Sequence, residues 1–230
     1  MDTELLDTEP VTAEQEWTVD GIPVLTASVS IPRPTGPGSR LTRKIAWFYR
    51  MQGRSYLRYC KNFLYPETAA AYRQALAAGT PLPSHTAELT YRVTLSEQGF
   101  WSLYTESREQ TDGHLEILRR GDTWNLRMGT PAPLADFFPK HYPIRKNLLQ
   151  AACEEIERQE RAGISRYHSR WRQELRHSFS RENFYLTPEG LCIFWPMYAV
   201  APATEGIPAF CIPFSEDGCR IPPPILPHLR

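Results

Sequence analysis

The sequence of 230 residues lacks the motifs of the common catalytic sites. It contains no Gly-x-Ser-x-Gly element for a serine nucleophile, no His-Glu-x-x-His metal motif and no glycine-rich phosphate loop. Three histidines were the best metal candidates, namely His141, His168 and His177. The last two lie nine residues apart, about two and a half helical turns, and so point to opposite faces of a helix. We therefore expect no metal, no other cofactor and no enzymatic activity.

Two further absences bear on the compartment. The N-terminal residues have neither a basic segment nor an apolar stretch of the kind found in secretory signals, and no run of about 18 apolar residues occurs. The odd number of cysteines and the absence of a Cys-x-x-Cys pair favour free thiols (Cys60, Cys153, Cys192, Cys211 and Cys219). These features predict a cytoplasmic protein without a membrane span. A Cys192–Cys211 disulfide is the alternative, because both cysteines lie in apolar strands.

Charge is distributed in blocks although the formal net charge is zero. Residues 1–20 contain no basic residue, and residues 21–66 contain no acidic one. Such blocks are typical of solvated faces or interacting tails. We expect residues 1–20 to be a disordered acidic tail, residues 21–215 to form one domain, and residues 216–230 to be an extended proline-rich tail.

A helix is predicted over residues 40–63, with one apolar and one basic face. The apolar arc contains Leu41, Ile45, Phe48, Tyr56, Tyr59 and Phe63, and the basic face contains Arg43, Arg50, Arg54, Arg58 and Lys61. Trp47 projects on the basic side. Cations interleaved with an aromatic side chain suit single-stranded nucleic acid, which is therefore an alternative ligand. The acidic residues 1–20 offer another role for this face, as a dock for the chain's own tail.

The remaining pattern predicts an α+β fold, a curved antiparallel sheet (a meander plus a C-terminal hairpin) packed against about three to four helices. An N-terminal strand and two helices occupy residues 21–83, and the core occupies residues 84–215. Alternating apolar residues place strands at 25–31, Thr86–Leu95, Phe100–Gln110, His114–Arg119 and Asp122–Met128, with turns that include Arg120-Gly121. Helices are expected at 67–78, 134–138, 144–162 and 166–178, before the terminal strands.

The turn Thr111-Asp112-Gly113-His114 is the most distinctive polar constellation. Asp-Gly suits a tight hairpin that requires a positive φ. Asp112 and His114 at its tip are candidate contacts for a protein partner or a sugar. The enzymatic alternative is an uncharacterised hydrolase, or a cell-wall enzyme accessory, that uses the same two side chains.

Four segments resemble the soluble domain shared by RsiV-type anti-sigma factors, which sense lysozyme, and PdaC-type peptidoglycan deacetylases. They are the strand and turn 104–114, the strand 122–129, the Leu134–Phe138 turn, and the closing strands from Phe184 to Phe214. The turn carries Asp112-Gly113 where the family has a double glycine. The resemblance covers residues 84–215 and implies a bacterial binding or signal-sensing module with a protein or cell-wall ligand. An extracytoplasmic location is what the resemblance implies instead of the cytoplasm.

Overall fold

The computed structural model describes residues 6–35, 40–111 and 113–214, and it confirms the α+β class. The strands are β1 (Asp7–Val19), β2 (Ile22–Thr35), β3 (His85–Glu97), β4 (Phe100–Thr111), β5 (His114–Asn125), β6 (Thr130–Pro131), β7 (Phe184–Thr187), β8 (Gly190–Phe194) and β9 (Ala209–Pro213). The helices are α1 (Arg40–Tyr59), α2 (Tyr65–Ala78), α3 (Ile144–Ala162) and α4 (Trp171–His177). A π-helical segment (Cys60–Leu64) joins α1 to α2, and 3₁₀ turns lie at Leu134–Phe137 and Ala203–Glu205.

The strands form two sheets. Six strands follow the order β1-β2-β3-β4-β5-β6, and the C-terminal sheet follows the order β7-β8-β9. The C-terminal sheet is antiparallel, whereas β2 and β3 of the larger sheet run parallel. This parallel pair departs from the predicted antiparallel sheet. It arises because α1 and α2 connect the two strands, and a helical crossover returns the chain in its original direction.

Residues 7–19 are not a disordered tail, so that expectation was wrong. They form β1, which pairs antiparallel with β2 along its length. Trp17 and Val19 are buried and hold the end of this strand against the hydrophobic core. The turn to β2 is Asp20-Gly21, with positive φ at both residues. An Asp-Gly pair favours a tight hairpin turn. The prediction of a tail followed from the acidic composition and did not take this pair into account.

The chain divides into two compact units, at boundaries other than the predicted ones. The first comprises residues 6–92 and 105–118 of the described chain, and the second comprises residues 93–104 and 119–214. In the first unit, α1 packs on β2 through buried Ile45 and Tyr49. Gly53 extends this contact, because a Cβ there would lie 3.1 Å from a methyl group of Val29. Close helix–sheet approach thus requires glycine in this turn of α1.

The predicted helix over 40–63 is present, but its apolar face differs from the prediction at the C-terminal end. Phe63 is 64% exposed and Tyr59 is also exposed. The buried positions of α1 are Thr42, Ile45, Tyr49 and Gly53. Phe63 lies in the π-helical segment, which adds one residue to a turn and rotates the chain relative to 3.6-residue periodicity. Tyr59 precedes that segment and lies outside the arc that the buried residues of α1 define. Pro66 lies in the first turn of α2, close to the predicted start.

Strand β5 is continuous from His114 to Asn125, so the predicted turn at Arg120-Gly121 was wrong. A Cβ on Gly121 would overlap the carbonyl group of Phe184. Glycine is therefore present to allow a close backbone approach, which is the other common reason for glycine within a strand. The Leu134–Phe137 turn and α3 match their predictions, whereas α4 is shorter than the predicted helix over 166–178.

The core of the second unit is formed by α3, α4 and the C-terminal sheet. Leu148, Ala152 and Ile156 of α3 are buried, as their spacing predicts. Trp195 is fully buried and donates its indole N–H to the carbonyl oxygen of Leu175, at 2.9 Å. A buried indole that keeps a hydrogen-bond partner incurs no desolvation penalty.

Cys192 and Cys211 are joined by a disulfide, so the expectation of free thiols was wrong for this pair. They face each other directly across β8 and β9. Cys60 and Cys153 are free thiols, as expected, and Cys219 lies outside the described residues. Within the described ranges, no helix is long and apolar enough to cross a membrane.

Candidate functional site

The predicted binding turn lies between β4 and β5, where the sequence placed it. Thr111 ends β4, His114 begins β5, and Gly113 has a φ of 81°. Asp112 lies outside the described residues. The His114 side chain is exposed at the start of its strand. This position suits contact with a partner rather than enclosure in a reaction pocket.

The basic residues of α1 and the adjoining π-helical segment are all exposed (Arg43, Arg50, Arg54, Arg58 and Lys61). None of these five forms an ion pair or hydrogen bond with another described residue. Trp47 lies among them and is 60% exposed. The predicted arrangement of cations around one aromatic side chain is therefore present in the structure.

The acidic N-terminal residues were considered as an internal partner for this basic face. In the structure, Glu9 of β1 pairs instead with Arg33 of β2. The other acidic side chains of β1 are exposed, which is a common way of protecting an edge strand from unwanted pairing. The described part of β1 thus has a structural role in the sheet.

A groove of about 830 Å³ in the second unit was not predicted. It lies beside β5 at the approach to β7. Its charged and polar lining consists of Arg119, Arg120, Asp122, Arg181, Glu182 and Asn183. Asp122 forms an ion pair with Arg120 at 3.1 Å. Three guanidinium groups against two carboxylates give the groove a positive balance.

Arg119 is held by aromatic side chains. Its guanidinium carbon lies 4.3 Å from the ring centre of Tyr104, 5.9 Å from that of Tyr185 and 5.7 Å from that of Phe194. Tyr185 pairs across the sheet with Cys192, so this aromatic group lies next to the disulfide. Cation–π contacts of this kind restrict the positions that a guanidinium can take. The aromatic group thus holds Arg119 in place at the groove.

No sequence pattern indicated this groove directly. Arg119 was predicted to end a strand and Arg120 to lie in a turn, so their position on one continuous strand was not considered. Arg181 is some sixty residues later, in the segment before β7. No short-range pattern connects positions so far apart. The close approach of Gly121 to Phe184 is what brings the two segments together.

A second basic depression, of about 590 Å³, lies between α3 and α4. Its cations already contact protein groups. Arg145 donates to the carbonyl oxygen of Arg176 at 2.6 Å, and Arg172 pairs with Glu157 at 2.9 Å. These contacts connect the two helices. A structural role accounts for this cluster better than a ligand site does.

Tyr59 and Glu109 form a hydrogen-bonded pair of titratable groups, each with a raised pKa. The Tyr59 hydroxyl donates to the Glu109 carboxylate at 3.2 Å. Burial, followed by the charge of Glu109, raises the pKa of Tyr59 to about 12. Burial also raises the pKa of Glu109, and it raises the pKa of the nearby Cys60 thiol to about 11. Desolvation is the largest cause of the raised pKa in all three groups.

In the described part of the chain, no cluster of three or more His, Cys, Asp or Glu side chains is arranged to hold a metal ion. The candidate residues His141, His168 and His177 lie in a turn, in the segment before α4 and at the end of α4, respectively.

Comparisons with known proteins show what part of the chain is similar to. Residues 135–215 match a family described as "Protein of unknown function (DUF3298)", which is the predicted RsiV/PdaC-type domain. The crystal structure of a member of this family from Bacteroides fragilis covers 90% of each chain at 15% identity, with a TM-score of 0.63. A DUF3298 family protein from Pseudomonas aeruginosa covers 91% of each chain at 16% identity, with a TM-score of 0.58. No curated protein matches the sequence. At these identities the likeness establishes the shared fold.

Proposed function

We propose that the chain, part of which matches the DUF3298 family, is a non-enzymatic binding module whose ligand occupies the groove lined by Arg119, Arg120 and Arg181. The observation that carries this proposal is the set of three arginines that line one groove. Guanidinium groups recognise carboxylates through paired, charge-assisted hydrogen bonds. The ligand is therefore a carboxylate-bearing molecule, either an acidic segment of a protein partner or a cell-wall fragment.

The disulfide supports an extracytoplasmic location for this module. Disulfides persist in oxidising compartments and are rare in the cytosol. The Cys192–Cys211 bond joins neighbouring strands directly beneath the aromatic group that holds Arg119. We therefore propose that the protein functions outside the cytoplasm, which is the alternative that the family resemblance implies.

The exposure of His114 supports binding over the hydrolase alternative. A general acid or base must lie within hydrogen-bonding distance of a bound substrate and of a group that orients it. His114 stands at the exposed start of β5, and the residues that line the groove do not include it. The turn 111–114 is better suited to a secondary contact with a large partner.

The test uses Arg181→Glu in the groove and Arg166→Glu as a matched control, since both arginines are exposed in the second unit. One arm measures capture of secreted and envelope proteins of the native host, and the other measures calorimetric binding of purified peptidoglycan fragments. We expect Arg181→Glu to abolish binding in one arm and Arg166→Glu to leave it unchanged. Equal binding by both variants would contradict a ligand site in the groove.

A further inference from the structure

We propose that the exposed face of α1 is a docking surface for a membrane rich in anionic phospholipid. The surface consists of Arg43, Arg50, Arg54 and Arg58 around Trp47 and Met51, which are 60% and 37% exposed. We call it the α1 surface. It is separate from the groove, and the carboxylate ligand proposed there plays no part in it.

The α1 surface consists of an apolar pair with cations beside it. On a helix with 3.6 residues per turn, Trp47 and Met51 lie about 40° apart and one turn apart. Arg43, Arg50 and Arg54 lie to one side of this pair. Arg58 continues the surface beyond Met51. From Arg43 to Lys61 the cations extend over about 27 Å, enough to contact several lipid headgroups.

The opposite face of α1 fixes this orientation. Ile45, Tyr49 and Gly53 are buried against the sheet, so the helix cannot turn its exposed side inward. The four arginines of the surface make no ion pair with described residues, so their charge is available to an external anion. Each cation near an anionic membrane contributes attraction, and several contribute together.

Trp47 and Met51 favour lipid over nucleic acid as the ligand of the α1 surface. Single-stranded nucleic acids bind along a series of aromatic platforms on which successive bases stack. The α1 surface offers one such side chain, Trp47, and its apolar neighbour is Met51, which has no ring. Tryptophan prefers the membrane interface, and methionine adapts to acyl chains. The disulfide of the second unit favours an extracytoplasmic location. A membrane is a more common partner there than nucleic acid.

Trp47 also supplies a direct readout. The chain has six tryptophans, and the other five are at most 9% exposed. A change in tryptophan emission on adding vesicles therefore reports mainly on Trp47. We expect a blue shift and quenching by brominated acyl chains with vesicles of about 30% phosphatidylglycerol in phosphatidylcholine. Trp47→Phe should lose this signal while retaining most of the vesicle binding.

Co-sedimentation with the same vesicles measures the charge dependence. Replacing Arg50, Arg54 or Arg58 with glutamine should lower the partition coefficient about fivefold for each arginine. Arg73→Gln with Arg166→Gln serves as a control, because both arginines are exposed and neither belongs to the α1 surface. Raising the salt from about 100 to about 500 mM should weaken binding of the wild-type protein.

Three outcomes would overturn the proposal. The first is that the protein binds vesicles of pure phosphatidylcholine as well as it binds the anionic vesicles. The second is that the control variant loses as much binding as the variants of the α1 surface. The third is that the protein retains single-stranded oligonucleotides and does not bind anionic vesicles. The last outcome would assign the α1 surface to nucleic acid. Circular dichroism and thermal unfolding of each variant distinguish loss of binding from loss of fold.

Discussion

The Tyr59 hydroxyl donates a hydrogen bond to the carboxylate of Glu109, and the two groups shift each other's titration in opposite ways. The charge of Glu109 raises the pKa of Tyr59, adding to the effect of burial, whereas the hydrogen bond from Tyr59 partly offsets the burial that raises the pKa of Glu109. Glu116 adds a further negative charge beside the carboxylate. The net result is a Glu109 pKa above its ordinary value in the folded state.

The first prediction is that Glu109 weakens the fold as it ionises. Because its folded pKa lies above the ordinary value of 4.5, the folded state binds the proton more tightly than the unfolded state. Its contribution to stability is fully present below pH 4.5 and is lost as the pH rises through the folded pKa. In urea titrations between pH 4 and 7, the unfolding free energy of Glu109→Gln should not show this decrease. At pH 7 the variant should be more stable than the wild-type protein. The exposed Glu160→Gln is the control and should follow the wild-type profile.

The second prediction concerns Gly121. An alanine methyl group there would overlap the Phe184 carbonyl, so the strands must separate. We expect Gly121→Ala to lower the free energy of unfolding by about 2 kcal/mol or more. Gly163→Ala is the comparison, since its φ is positive but no atom lies near the added methyl. That variant should lose about 1 kcal/mol through backbone strain alone. Similar losses in denaturant titrations would show that the close approach is absent.

The third prediction is that the disulfide stabilises the C-terminal sheet. Cys192 and Cys211 are separated by 19 positions in sequence, and closing a loop of this size stabilises a protein by roughly 2 to 4 kcal/mol. Replacing both cysteines with alanine should lower the unfolding free energy by that amount. Adding reductant to the wild type should have a similar effect. A non-reducing peptide map in which both cysteines alkylate freely would contradict the bond itself.

The fourth prediction separates the two free thiols. Cys60 is fully buried, and burial raises its pKa to about 11, whereas Cys153 is only partly buried. Since the thiolate is the reactive form, Cys60 should resist a disulfide reagent until the protein unfolds. In a Cys219→Ala background, we expect one thiol to react in the native state at pH 8, with Cys153→Ala eliminating that reaction. Native labelling of Cys60 at a similar rate would contradict its burial.

Periodicity in the sequence was sufficient for the regular parts of this fold. The spacing of Leu148, Ala152 and Ile156 predicted the buried face of α3, and alternation predicted β2. It failed where a contact between distant segments decides the structure. The edge strand β1 has few apolar residues and is ordered by pairing with β2.

Among the candidate sites too, those that depend on local sequence were predicted and the one that depends on distant segments was not. The basic face of α1 is local, since its residues recur within a few positions on one helix, and it was found from the sequence. The groove depends on Arg119 and Arg181 being brought together by strand packing, which no local pattern records. The turn 111–114 was located correctly because an Asp-Gly pair constrains the backbone directly.

The π-helical segment Cys60–Leu64 accommodates one extra residue within a helix that continues from Arg40 to Ala78. The buried residues after it, Thr68, Ala69 and Tyr72, come about one position later than the phase of α1 dictates. Deleting one residue there would restore uninterrupted α-helical geometry, yet it would turn Tyr72 about 100° away from its hydrophobic contacts. The irregular turn thus sets the rotational phase between two helices, and the shorter, more regular chain would be the less stable one.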